Sequence, residues 1–273
     1  TSKLSNNTAT GYLNSNNARI NFNGKLKQTA KFKFSKIKNF NRYDPNIIFY
    51  KEGLLFFDKK GSILNFDHSS KLIWKKNFYS KSERKLKPFL NFSNNNNILI
   101  ITDSLANYYS IDINSGKLLW KKTNSSPFNS QIKIYKNKFY VVDFENVLRC
   151  FSIKDGKELW NVKTDTTFVK SQQKLSIVII NNNIIFNNSI GDISAVDSDT
   201  GDLIWQTPTQ DSSIYQSAFE LKTSTLVSNS KVLLFSNNKN QFFSIDANNG
   251  ILNWQQKVNS NIRPEIIDGL IFT

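Results

Sequence analysis

The chain holds 273 residues, with 36 Lys and Arg against 21 Asp and Glu, one Cys, one His and no Met. That length can bury a substantial core, as one large domain or two smaller ones, whereas a lone cysteine excludes an internal disulfide and the Cys/His count excludes the usual zinc sites. No run approaches the roughly 18 uninterrupted apolar residues of a membrane helix.

With no Met at residue 1, the segment reads as part of something longer, with any targeting signal upstream. Of the net charge of +15, lysine supplies nearly all, with arginine only at Arg19, Arg42, Arg84, Arg149 and Arg263. The lysines scatter through the chain and form no stripe, so nucleic acid is not the expected partner. A diffuse positive field that favours anionic surfaces remains.

Residues 1–28, TSKLSNNTATGYLNSNNARINFNGKLKQ, are polar and non-periodic and read as a flexible N-terminal tether. A strand pattern begins at TAKFKFSKI, residues 29–37, and would complete a last blade. Six short apolar runs follow: GLLFFD (53–58), NILIIT (97–102), KFYVVD (138–143), NIIFN (183–187), KVLLFS (231–236) and GLIFT (269–273). Their β-branched and aromatic content and polar boundaries predict strands buried on both faces. A second strand such as ANYYSID or NQFFSID comes next, then a turn, then a strand such as KLLWKK. The segment after each tryptophan, for example SQIKIYK (130–136), supplies a fourth.

The turn and the tryptophan form a repeat: SIDINSGKLLW (110–120), AVDSDTGDLIW (195–205) and SIDANNGILNW (244–254), with NFDHSSKLIW (65–74) and SIKDGKELW (152–160) read as one residue shorter. These five copies contain all five tryptophans, Trp74, Trp120, Trp160, Trp205 and Trp254, at intervals of 40 to 49 residues. A period in that range signals repeat architecture. The Asp (Asp67, Asp112, Asp197, Asp246) is placed to accept hydrogen bonds from turn amides. The Gly (Gly116, Gly156, Gly201, Gly250) suits a positive φ. A small residue two positions before the Asp (Ser110, Ala195, Ser244) leaves room for a neighbouring blade, and the Trp buries area between blades. Lys154 is read in place of the Asp in the third copy and Ser70 in place of the Gly in the first, so those turns are expected to be looser. Cys150 aligns with Ile63, Tyr108, Ile193 and Phe242, an apolar strand column, and reads as a small buried core residue.

Four antiparallel strands per period, with no helical period between them, predict an all-β propeller. The spacing of Ala195, Asp197, Thr200, Gly201 and Trp205 resembles the pyrroloquinoline-quinone-like propeller repeat at every signature position. The resemblance covers about residues 29–273 and implies about five and a half blades. Because the chain stops just after an inner strand, it is expected to be part of a larger, eight-bladed ring truncated at its C-terminus.

Catalytic chemistry is absent from the pattern. His68 is the sole candidate base, no Gly-x-Ser-x-Gly elbow accompanies it, and no Gly-rich phosphate loop occurs. Asp197 and Asp199 belong to a turn with a structural role. The expectation is therefore a non-enzyme with no cofactor and no metal. A quinoprotein dehydrogenase fragment shares the repeat, but adjacent cysteines and a calcium-binding carboxylate set are missing.

Within the propeller family the chain is similar to BamB, the lipoprotein family of the outer-membrane β-barrel assembly machinery. The resemblance lies in the first blade (from TAKFKFSKI to NFD), in DTTFVKSQQKLSIVIINNNIIF after Trp160, and in TPTQDSSIYQSAFELKTSTLV after Trp205. It implies that the two extended loops contact BamA, the barrel-forming subunit. Carried over by position, Phe168, Val169, Lys170 and Ser171 present the first loop and Glu220 the second. Lys170 stands where that family has Arg, keeping charge but losing a bidentate fork, and Lys222 stands where an acid is expected. Both loops also read as mere variable connections. The implied role is a periplasmic scaffold, anchored to the outer membrane by a lipid on an upstream cysteine, that aids insertion of nascent outer-membrane proteins. The alternative is a propeller module binding another protein or an anionic polymer.

Overall fold

The computed structural model describes residues 17, 31, 47–50, 53–166, 173–209, 221–229, 231–267 and 270–273. Within them lie five four-stranded antiparallel sheets and one hairpin, each sheet built from strands consecutive in sequence. The first blade is β1 (Ile48–Tyr50), β2 (Gly53–Phe57), β3 (Ile63–Asp67) and β4 (Leu72–Lys76). The second is β5 (Leu90–Asn95), β6 (Ile98–Asp103), β7 (Asn107–Asp112) and β8 (Leu118–Thr123). The third is β9 (Lys133–Tyr135), β10 (Lys138–Val142), β11 (Val147–Ser152) and β12 (Glu158–Lys163). The fourth is β13 (Ile177–Ile180), β14 (Asn183–Asn187), β15 (Ile193–Asp197) and β16 (Leu203–Thr207), and the fifth β17 (Val227–Ser228), β18 (Val232–Asn237), β19 (Gln241–Asp246) and β20 (Leu252–Gln256). The hairpin β21 (Glu265–Ile267) and β22 (Leu270–Phe272) comes last. The fold is an all-β propeller. Its residues group into two compact units. One holds the first two blades and the turn 153–156; the other holds the remaining blades, the hairpin and Asn17.

Composition explains each layer. The second strand of every blade, predicted to be buried on both faces, is buried nearly throughout, as in β2 and β14. Its flanking hairpins are closed by asparagine-rich pairs such as Lys136–Asn137 and Asn181–Asn182, all at positive φ. Two-residue hairpin loops of that geometry match the twist of the strands. In the first unit Leu55, Phe57, Phe92, Ile101 and Tyr109 pack around Trp74; in the second Val178, Ile185, Leu233 and Phe243 pack around Trp205.

The last strand of each blade is different. It carries the tryptophan directly after exposed aliphatics, among them Leu72, Ile73, Leu118, Leu119, Leu203 and Ile204. Every blade has one β-bulge at the same place, between Asn65 and Phe66, Ser110 and Ile111, Cys150 and Phe151, Ala195 and Val196, or Ser244 and Ile245. A bulge adds one residue and re-aims the strand beyond it.

That register corrects two expectations. Trp160 pairs with Cys150, as Trp120 does with Ser110 and Trp205 with Ala195. Cys150 therefore occupies the small-residue position and not the column of Tyr108 and Ile193. The small residue makes room for the tryptophan of its own blade, directly across the ladder. Counting on from Cys150, Ser152 stands where the other copies have Asp, and its amide bonds Lys157 O at 2.9 Å as that of Asp112 bonds Lys117 O. The third copy is full length, with Ser152 and not Lys154 in the aspartate's place. Cys150 is fully buried, and burial pushes its thiol up to about 12.

The faces of Trp74, Trp120, Trp160 and Trp205 each lie on the outer turn of the next blade. A Cβ at Gly116 would come 2.9 Å from Trp74 Cδ2, one at Gly156 2.6 Å from Trp120 Cζ3, one at Gly201 2.8 Å from Trp160 Cε3 and one at Gly250 2.5 Å from Trp205 Cε3. Trp74 and Trp120 also donate their indole N–H to Ile113 O and Ile153 O at 2.9 Å. At Trp160 the matching carbonyl, Ser198 O, is taken by the Tyr140 hydroxyl at 3.0 Å, and the indole N–H has no partner. Trp254 packs against Phe242, ring centroids 5.5 Å apart. The turns are held by their aspartates: Asp112 Oδ1 accepts from the Ser115 amide and hydroxyl, Asp197 Oδ1 from Asp199 and Thr200 amides, and Asp246 Oδ1 from Asn248 and Asn249 amides. These bonds hold Asp112 and Asp197 below the ordinary carboxylate range. In the first turn, which is one residue shorter, Ser70 takes the left-handed position with φ 67°.

A short helix that the sequence reading missed, α1 (Lys81–Lys85), follows β4 and is closed by a capping box between Ser80 and Glu83. Among the described residues no helix is long and apolar enough to cross a membrane.

Gly201→Ala adds a Cβ at φ 81° against Trp160, and costs about 1–3 kcal/mol by urea denaturation. Ser70→Gly goes the other way, gaining up to about 1 kcal/mol, because it removes a strained left-handed serine.

Candidate partner-binding face

A second family of turns, between the second and third strands of the blades, positions the segments expected to bind a partner. Asp58 Oδ1 accepts from the Lys60 and Ser62 amides, Asp103 Oδ1 from Leu105 and Asn107, and Asp143 Oδ1 from Glu145 and Val147. Asn188 Oδ1 does the same for Ile190 and Asp192. The residue three positions on is left-handed each time: Gly61, Ala106, Asn146 and Gly191, with Asn240 in the fifth blade. One side-chain oxygen thus holds amides two and four residues ahead, closing the turn without a strand ladder.

In the third and fourth blades these turns also hold the start of each extended loop. Asn146 O accepts from both the amide and the hydroxyl of Thr164, and Asn146 Nδ2 donates to Asp165 O at 2.8 Å. The same side chain reaches the next blade's turn, where Nδ2 donates to Ser189 Oγ and Oδ1 accepts the Ser189 amide. At the second loop, Thr209 Oγ1 donates to Gly191 O at 2.8 Å and the Thr209 amide to Asp192 Oδ1 at 3.3 Å.

The far ends of the two loops meet. Gln173 closes the first, and Thr223 lies just beyond the second. The Gln173 side chain grips Thr223 in both directions: Nε2 donates to Thr223 O and Oγ1, and Oε1 accepts the Thr223 amide. Asn187 Nδ2 adds a bond to Thr223 Oγ1 at 3.0 Å, and its Oδ1 accepts the Ser176 amide. Lys222, exposed, is fixed through its backbone to Asn238. Phe168, Val169, Lys170, Ser171 and Glu220 themselves lie outside the described residues. So do residues 1–28 apart from Asn17, and residues 29–37 apart from Lys31.

Electrostatics at this face centre on Asp192. Burial pushes its carboxyl above the usual range, opposed by the Thr209 amide, while the Asp165 charge adds to the rise. Asp103 in the first unit is likewise raised by burial, though Tyr79 donates to its Oδ2 at 2.6 Å. That cluster, with Tyr109 fully buried behind it, braces a turn. Among the described residues no three His, Cys, Asp or Glu side chains converge on a metal position. The arrangement fixes the described ends of the two loops to the inner turns of the third and fourth blades.

Sequence reading missed Gln173, Thr223, Asn146 and Asn187. For the Asn146 series a signal existed: Asp or Asn at or just after the end of the second strand, four or five residues before the third begins. Gln173 carried none.

A family model described as outer membrane protein assembly factor BamB matches residues 59–273. No curated protein matches the sequence. Among solved structures, the fold is similar to BamB from Moraxella catarrhalis, with a TM-score of 0.63 at 14% identity over 82% of this chain and 67% of that one. A computationally designed protein, Ika8, gives 0.66 at 13% identity over 82% and 65%, respectively. A quinohemoprotein alcohol dehydrogenase from Pseudomonas putida HK5 gives 0.62 at 14% identity over 86% of this chain and 43% of that one. The chain spans about two thirds of the first two structures and less than half of the third.

Because its folded pKa is raised, Asp192 binds a proton more readily in the native than in the unfolded chain. Stability therefore falls as pH rises through the native value. Asp192→Asn keeps the acceptor for Thr209 and removes the buried charge. Urea denaturation from pH 4 to 7 should show the variant more stable at the upper end, with the gain vanishing at the lower.

Proposed function

The chain belongs to the family of the outer membrane protein assembly factor BamB, and from that we propose that it is a non-catalytic scaffold of the outer-membrane β-barrel assembly machinery. Its partner is a BamA-like barrel-forming subunit, bound through the loops after Trp160 and Trp205. The observation that carries this reading is the Gln173–Thr223 junction, which joins the ends of the two loops. Variable connections have no need of a shared clamp. A side chain that satisfies the backbone of the opposite loop in both directions keeps their ends in one register, as a two-part epitope requires.

Phe168 supplies an apolar anchor of the kind that dominates interface energies, and Lys170 a charge for an acidic partner group. Lys222 adds a second positive charge near the second loop's end, so the partner surface is more acidic than the one a Glu220-centred site would prefer. In the cell the protein works in the periplasm, held to the outer membrane by a lipid on an upstream cysteine, and helps align nascent barrel strands. The non-catalytic reading rests on the family, which is one of assembly factors.

The test is a titration of the full-length natural protein against the periplasmic region of its BamA-like partner at two salt concentrations. Saturable binding is expected. Phe168→Ala and Lys170→Ala should each weaken it at least about tenfold, with Tm changing by under about 3 °C. Gln173→Ala should weaken it as well, since both loops lose a common anchor. Binding unchanged in all three variants refutes the loop site. Absence of binding at either salt leaves the propeller with another partner, and a steep salt dependence toward polyanions would identify it.

A further inference from the structure

Asn17 stands alone among the described residues of the first 28, and it is completely buried. Its side chain is surrounded by the approaches to three successive inner strands, β9, β13 and β17. Nδ2 lies within hydrogen-bond distance of four acceptors: Leu226 O at 2.9 Å, Ile177 O at 3.0 Å, and Gln131 Oε1 and Ser176 Oγ at 3.3 Å. Oδ1 accepts from Lys133 Nζ. All six residues belong to the second compact unit.

The pocket is built by the blades themselves. Ser176 Oγ also receives the Leu226 amide at 3.0 Å and Gln131 Oε1 the Ile177 amide at 3.4 Å, so its acceptors are fixed by neighbouring strands. Asn17 contributes only a side chain, from 114 or more residues away in sequence. Its polarity is determined by the walls: four oxygens face the NH2 group and one amine faces the carbonyl oxygen. A carboxylate would set a negative oxygen against four acceptors, and an apolar side chain would leave buried polar groups unsatisfied.

We propose that this pocket is a carboxamide-binding site, filled in cis by Asn17, which takes the asparagine side chain of an extended polypeptide when Asn17 is withdrawn. Asn17 is then a resident occupant, and any incoming asparagine competes with it. Lys133 makes the site chemically visible. It is only 1% exposed, and burial first, then the charges of Lys174 and Arg263, pushes its amine well below the ordinary lysine value. A lowered amine pKa leaves more of the group unprotonated, so Lys133 acylates faster than an ordinary lysine once reagent can reach it.

The experiment acetylates the full chain with an N-hydroxysuccinimide ester at about pH 8, where exposed lysines remain mostly protonated, and reads each lysine by mass spectrometry. In the unaltered protein Lys133 should be protected. In Asn17→Ala and Asn17→Leu it should react at least about tenfold faster through local opening, with exposed Lys81 and Lys122 unchanged. Excess of the peptide YLNSNNARINF, residues 12–22, should restore protection to the Ala variant. The same peptide with Leu at position 17 should not. Equal protection of Lys133 in all three chains overturns the proposal, as does protection by both peptides or by neither. Tryptophan emission is the folding control: a red shift in both variants would make Asn17 a structural core residue and overturn exchange.

Discussion

Everything in this fold depends on one contact, the flat face of a tryptophan laid on the backbone of the next blade's outer turn. A sheet of four short strands cannot bury both of its faces alone. It needs a neighbour at a fixed distance, and the approach found here leaves no room for a side chain: a Cβ on the turn would come within 3 Å of the ring at all four contacts. The ring supplies area and the glycine supplies proximity; neither is useful without the other. The bulge opposite each tryptophan sets the ring's aim, and the small residue across the ladder clears its base. The aspartate then holds the turn in the shape that presents the glycine. Bulge, small residue, Asp, Gly and Trp are thus parts of one device repeated along the chain.

This device was legible in the sequence because its parts are rare residues at fixed spacing. Five tryptophans in five copies left no ambiguity about the period, and the apolar runs gave the buried second strands. The misreading of the third copy has a physical cause. Counting forward from the Ser-Ile pair put Lys154 under the aspartate, whereas the ladder counts backward from Trp160 and puts Ser152 there. Hydrogen-bond register, not residue similarity, defines the position, and Cys150 moved with it. The inner turns escaped notice because their signal, a lone Asp or Asn at a strand end, is common in so asparagine-rich a chain. Gln173 could not have been found: its role depends on Thr223, 50 residues away, and nothing local distinguishes it.

The site and the scaffold use different physics. Blade contacts are apolar and close-packed, so they fix distances firmly. The loop anchors at Asn146, Asn187, Gln173 and Thr209 are polar, and they satisfy backbone groups where no strand ladder can. Polar anchoring is directional and takes little volume, so it fixes where a segment starts and ends without a packed core. The proposed scaffold role uses that division of labour: a repeat that keeps the geometry, with loops left to carry recognition.

The exposed aliphatics of the outer strands give the charge of the chain a meaning. Each of these strands ends its sheet, and Leu72–Ile73 and Leu118–Leu119 lie open on it. An open apolar edge is a template on which another copy could add a strand. Just past the tryptophan, however, stand Lys75–Lys76 and Lys121–Lys122, pairs of like charges on the same strands. Two such edges brought together would set ammonium groups against one another at strand spacing. In the fourth blade Gln206 and Thr207 and in the fifth Gln255 and Gln256 stand in place of the lysines, so the safeguard is uneven along the series. With Lys75 held by Asp58 and Lys121 by Phe78 O, Lys76 and Lys122 work as gatekeepers on these two blades, keeping the edges of one copy from those of the next.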